Sequence, residues 1–273
     1  MRQSRSHRRK QKIEHRLAIH WSRMLYYQFV AYGVVLAIWL LPIPNPVKLL
    51  AVTFHEVSHG VAALLTGGRV FGFAIAPSGA GVTMGIGGNM LLILIAGYIG
   101  SCLWGAALYY VSCKWNPKHA MMTLVAVVFG SATLGWANSQ TAFFGLGSLV
   151  MMLFLFKTRE FVQVFFVRLV GSACCLYAPL EILGEVVRFG GAPSVLGEET
   201  ATDVSQLSQY LGLHAAIVAV TILIIQVAIL ALLVRWTCTA GARQSVREEI
   251  QENKKKKLLI RDIRPESRRY TLR

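Results

Sequence analysis

The sequence predicts an all-α polytopic membrane protein of six to seven transmembrane helices with a short β-hairpin-like segment after the second, and three observations carry that expectation. Of its 273 residues, 55% are hydrophobic and 15% charged, against about 25% charged in an ordinary soluble domain. Apolar runs approaching the roughly 20 residues that a helix needs to cross hydrocarbon recur through the chain. Charge gathers at the two ends: the net charge is +15, and most Lys and Arg lie before Trp21 or after Val234. The expected organisation is a basic N-terminal arm (1–23), a membrane-embedded domain (24–236) and a basic C-terminal tail (237–273).

The arm, MRQSRSHRRKQKIEHR, is rich in Arg and nearly free of acid. No small-residue cleavage pattern follows the first apolar run, so it is expected to be retained. Because the charge sits in tails and not on a folded soluble face, anionic lipid headgroups are the expected neighbours and nucleic acid is not. Candidate spans follow at 24–41, 49–65, 90–111, 120–137, 141–156, 161–187 and 213–234, two of them short. Trp21, Tyr26 and Tyr27 at the start of the first, and Trp236 at the end of the last, sit where interfacial aromatic anchors belong. Two basic tails favour the same side of the membrane, which seven crossings forbid. Either a short segment is re-entrant or one tail lies outside.

Between the second and third spans, GGRVFGFAIAPSGAGVTMGIGG is too polar and glycine-rich to cross. Val70, Phe71, Phe73 and Ile75 ahead of a Pro-Ser-Gly turn predict an extended hairpin at the membrane face. In the third span Gly97, Ser101 and Gly105, four residues apart, allow close helix packing. The five cysteines, Cys102, Cys113, Cys174, Cys175 and Cys238, are odd in number, lie in or beside apolar runs and show no CxxC spacing, so they are expected to pack. No internal repeat supports a duplicated transporter.

Chemistry concentrates in His55-Glu56-Val57-Ser58-His59. Residues i and i+4 share a helix face, so His55 and His59 can offer imidazole nitrogens to one metal with Glu56 beside it. Zinc takes nitrogen and carboxylate donors in a near-tetrahedral set, and an adjacent carboxylate can take the proton of a water held there. A charged group inside a span costs roughly 2.5–3.5 kcal/mol on insertion scales, so this cluster calls for a partner.

The third ligand is distant. The extended soluble signature would need a histidine at position 65, which is Leu65, and no Asp or Glu occurs from Val57 to Arg159. Glu181 is placed first, in the apolar run CCLYAPLEILGEVV, where Pro179 is expected to break the helix locally. Glu185, one turn on, and Asp203, in TDVSQLSQYLG, are alternatives, although Asp203 equally suits a helix N-cap. His119 and His214 lie at span entrances, where interfacial histidines are ordinary. Asn89 and Asn138, amides at span ends, are candidates for binding substrate backbone and also suit helix capping.

FHEVSHGVAALLTGGRV and GGNMLLILIAGYIGSCLWGA, with LYAPLEILGEVV and TDVSQLSQYLG, resemble the site-2 protease-like membrane zinc metallopeptidases, in their compact branch without an inserted PDZ domain. The resemblance runs from Phe54 to about Leu213. It implies a helical core in which the HExxH helix and a distant acid meet at Zn2+, cleaving membrane-anchored substrates. Members usually carry aspartate as that acid, whereas the matching position here is Glu181. The expected activity is thus a zinc metalloendopeptidase in which Glu56 activates the water. A noncatalytic metalloprotease-like scaffold or chaperone is the alternative, against which intact Glu56 argues, and a channel or transporter is a third.

Overall fold

The computed structural model describes residues 2–39, 45–76, 78–114, 117–133, 136–189 and 202–267. It is 84% helical with one small antiparallel hairpin, an all-α membrane protein. The elements are α1 (Arg2–Trp39), α2 (Pro46–Leu65), β1 (Arg69–Ile75), β2 (Gly81–Ile86), α3 (Met90–Lys114), α4 (Pro117–Thr133), α5 (Ser139–Leu155), α6 (Glu160–Phe189), α7 (Asp203–Leu211) and α8 (Ala215–Ser267). Among the described residues, three helices are long and apolar enough to cross a membrane, within α3, α6 and α8, and α4 and α5 are shorter apolar helices. Contacts divide the chain into one unit of Val30–Leu233 and another of Met1–Phe29 with Val234–Arg273.

In the larger unit α2 begins sharply. Asn45 caps it by accepting from the amides of Val47 and Lys48, and Pro46, with no N–H to satisfy, opens the first turn. Glycines bring α3 close to its neighbours: a Cβ on Gly100 would lie 2.3 Å from Ser58 Oγ, and one on Gly105 would lie 2.5 Å from the Gly171 carbonyl of α6. Such small-residue contacts allow backbones to pack where burial from water supplies no drive. Gln163 of α6 donates to the carbonyls of Leu155, Phe156 and Thr158, satisfying the end of α5. The expected break at Pro179 does not occur, and α6 runs on to Phe189. Proline is tolerated in membrane helices where the freed carbonyl finds other partners.

The hairpin pairs Arg69 with Ile86 and Ile75 with Gly81, with a bulge between Val70 and Gly72. It lies along α2 in the reverse direction. Its base is tied to the end of α2, where the Gly68 amide donates to the Ala63 carbonyl. Its middle meets Glu56 through Thr83, and Ser78 at its tip meets Lys48 near the start of α2. The outer edge of β1 is taken up by the α4–α5 connection: Ala137 N–H donates to the Phe73 carbonyl, and Ile75 N–H to Thr141 Oγ1. Among the described residues no strand pairs with the outer edge of β2.

The smaller unit holds a feature that hydropathy did not reveal: the described residues of both basic tails are helical, as extensions of α1 and α8. Arg, Lys, Gln and Glu are good helix formers, and lengthening an existing helix avoids the cost of nucleation. Met24 lies beside Gly241 and Arg16 ion-pairs with Glu249 at 3.0 Å, so the two tails run antiparallel. Trp21, Tyr26, Tyr27 and Trp236 are exposed. Cys102, Cys174, Cys175 and Cys238 are buried free thiols; the Cys113 side chain lies outside those described.

Candidate metal centre

From Leu49 to Gly60 α2 is buried on every face, and its turn of polar side chains is enclosed with it: His55, Glu56 and His59 are each only 4% exposed. His55 Nε2 and His59 Nε2 lie 3.0 Å apart, and Asp203 Oδ2 is 2.9 Å from each. These residues form a group of potential metal donors among the described residues. His59 Nδ1 lies 2.7 Å from the Ile93 carbonyl and donates to it, which turns the Nε2 lone pair toward the cluster. Two imidazole nitrogens and a carboxylate oxygen facing one another at such distances repel as acceptors unless a proton or a metal cation sits among them.

The donor set fits zinc. Two nitrogens and one carboxylate oxygen leave a fourth position open, as in hydrolytic zinc sites, and ligand distances of about 2.0–2.2 Å put neighbouring donors about 3.3 Å apart. Space has also been left. A Cβ on Gly97 of α3 would stand 2.3 Å from His59 Nε2 and 2.7 Å from His55 Cε1, against the ligating edges of both rings. Gly97→Ala is therefore expected to bind zinc at least tenfold more weakly. A forced core insertion costs about 1–3 kcal/mol even where neighbours yield, and here the neighbours are the ligands. Gly105→Ala crowds the α3–α6 contact instead and should keep its metal, so metal content of the two purified variants separates loss of the site from loss of packing.

Glu56 completes the centre. Its Oε2 accepts from Thr83 Oγ1 at 2.6 Å, and a Cβ on Gly81 would overlap Oε1 at 2.3 Å, so only glycine lets β2 pass over the carboxylate. A cavity of about 620 Å³ opens here, walled by the hairpin, Tyr98, Tyr177, Glu181 and Gln206.

Glu181, placed first as third ligand from the sequence, lies outside the His–His–Asp cluster. Its Oε1 is 4.0 Å from Lys48 Nζ, and Lys48 precedes His55 by two helical turns, about 10 Å along the axis. The alternative Asp203 stands in the cluster. It is free to do so because Thr202, not Asp203, caps α7, accepting from the Ser205 amide. The Glu185 side chain lies outside those described. Asn138 Oδ1 caps α5 through Thr141, and Asn89 Oδ1 accepts from the Leu92 amide at the start of α3. Neither lines the cavity. His119 and His214 are exposed. Sequence reasoning missed Thr83, Gly81 and Lys48; the alternation of Val82, Met84 and Ile86 with Gly81, Thr83 and Gly85 was the available signal, since a strand turns every second residue to one face.

A helical membrane protein with an HExxH helix and a distant aspartate converging on one buried point belongs to the class of membrane metallopeptidases. A family model described as Peptidase M50B-like matches residues 29–233, and the chain belongs to that family. The family is one of zinc metallopeptidases and is site-2 protease-like; the match and the apolar helices make this a multi-pass membrane protein. No curated protein and no solved structure matches the chain.

Proposed function

We propose that this protein is an intramembrane zinc endopeptidase that hydrolyses peptide bonds of membrane-anchored substrates. The observation that carries this reading is the Glu56 carboxylate, buried beside the His55–His59–Asp203 triangle on the wall of the cavity. The chain's residues that would hold the ion are His55, His59 and Asp203. Zinc, when bound, supplies a Lewis acid that polarises a carbonyl and acidifies water.

The rest of the chemistry falls to the protein. Thr83 donates to Glu56 Oε2 and to no atom of Oε1, so the carboxylate is oriented with Oε1 available as the base. Glu56 Oε1 takes a proton from the attacking water and returns it to the departing amine nitrogen. His59 is held in a single tautomer by the Ile93 carbonyl. A transmembrane helix buries its carbonyls in its own hydrogen bonds, so a substrate must unwind to be cut. The outer edge of β2 offers backbone groups with which an unwound segment could pair as an added strand. Val82, Met84 and Ile86 on that strand are exposed and apolar, suited to a membrane-derived segment. The basic helical tails are the surface for anionic lipid headgroups.

The test is cleavage of a model single-span substrate by the purified full-length protein. Chelation should abolish cleavage, and added Zn2+ should restore it. A zinc-loaded protein that leaves every such substrate intact would support the noncatalytic scaffold instead.

A further inference from the structure

Glu181 has no part in the metal cluster, yet it is an acid on the cavity wall of a membrane protein, where an unpartnered carboxylate is costly. Its partner is the ammonium of Lys48, 4.0 Å away. The same ammonium donates to the Ser78 carbonyl at the hairpin tip (3.3 Å) and lies 5.2 Å over the Trp39 ring of α1. The lysine stem rests in the notch left by Gly79: a Cβ there would lie 2.4 Å from Lys48 Cε, and Gly79 has φ +91°, a conformation that side-chain-bearing residues rarely adopt. One cation thus joins the start of α2, the end of α1, α6 and the tip of the hairpin.

Resting on the peptidase reading above, we infer that Lys48 and Glu181 form a latch that holds the hairpin tip against the cavity mouth, making both of them positioning residues for Glu56 and the β2 edge. Gly79, Ala80 and Gly81 wall the cavity together with Glu181, so the latched segment is the one beside which substrate enters. The hairpin's other attachments are of a different kind. Its base is fixed to α2 by a backbone hydrogen bond, its middle by the short Thr83–Glu56 bond, and the end of β1 to α5 by the Ile75 N–H donating to Thr141 Oγ1. The tip's link to α2 is a single rotatable side chain, that of Lys48, itself held by a long ion pair to Glu181 of α6, and four-carbon stems reorient readily. Lifting the tip moves β2, and through Thr83 it moves the carboxylate that serves as base.

Three readouts on the full-length protein test this: zinc content, hydrogen exchange of the hairpin amides, and the split of kcat from KM on the single-span substrate. Lys48→Met and Glu181→Gln should each keep a full complement of zinc. Each should speed amide exchange across residues 78–86 roughly tenfold by freeing the local opening of the tip. Each should raise KM, because the β2 edge moves, and lower kcat, because the base moves with it, whereas Lys48→Arg, which keeps a cationic donor, should keep exchange slow. Loss of zinc in Glu181→Gln would overturn the inference by making Glu181 a ligand. Hairpin exchange unchanged in both variants would overturn it by removing the latch. Zinc content and exchange are read without cleavage, so a protein that fails to cut substrate would defeat the peptidase reading while leaving the latch to be judged by these two.

Discussion

Glu56→Gln is expected to lower kcat about 10²–10⁴-fold, the range that a positioned general base contributes, while zinc stays bound at full stoichiometry. The substitution keeps the side chain's size and its ability to accept from Thr83 Oγ1 through the amide oxygen, so the hairpin should stay where it is. What disappears is the basic oxygen beside Gly81 that takes and returns the proton. The ligands His55, His59 and Asp203 are untouched. Turnover of the single-span substrate, measured beside metal content, checks both halves. A Glu56→Gln protein that cuts at the wild-type rate would remove Glu56 from the chemistry, and one that loses its zinc would make Glu56 part of the metal site.

The second large effect falls on the metal itself. Asp203→Ala should leave the purified protein with little or no zinc, because the two neutral imidazoles would keep only each other and lose the one anionic donor within 2.9 Å. Disturbing only the outer hydrogen bonds of metal sites already costs about 10–100-fold in affinity, and removal of a ligand should exceed that. Asp203 stands at the first turn of α7 behind the Thr202 cap, so the alanine variant keeps the cap and the buried Val204 and Leu207 that seat the helix. The fold should therefore survive. Metal analysis of the variant beside the wild type is the measurement, and an Asp203→Ala protein with unchanged zinc would place the third ligand elsewhere.

The apolar helices could be read in advance because lipid demands long, nearly uninterrupted hydrophobic runs, and such runs show in the residues themselves. The runs from 49, 90, 141 and 161 became α2, α3, α5 and α6 with small shifts at their ends. His55, Glu56 and His59 could be grouped for a related reason: a four-residue spacing has only one meaning on a helix. The acid that completes their cluster had no such local rule. Glu181 looked best because its surroundings are the most apolar, but hydropathy does not say which level of a neighbouring helix a side chain meets, and Glu181 meets α2 at Lys48. The weight given to Asp203 was divided with a capping role that Thr202 in fact performs.

The helical tails were missed for the opposite reason. Helix continuation through charged residues depends on propensity and on the helix already formed, and it leaves no hydrophobic stripe as strong as a span's. Only afterwards do Cys238, Ala242 and Val246, buried at four-residue intervals, stand out as the contact seam. The hairpin was visible from its turn and its aromatic and branched residues, whereas its direction along α2, and the meeting of Thr83 with Glu56, depended on contacts between segments far apart in sequence.

An anomalous-difference map at the zinc edge, from the full-length protein prepared with its metal, would locate the ion and its ligands. A single peak should lie within about 2.0–2.2 Å of His55 Nε2, His59 Nε2 and a carboxylate oxygen of Asp203, with Glu181 left beside Lys48. A peak bonded to Glu181, or imidazoles of His55 and His59 that share no peak at all, would contradict this ligand set.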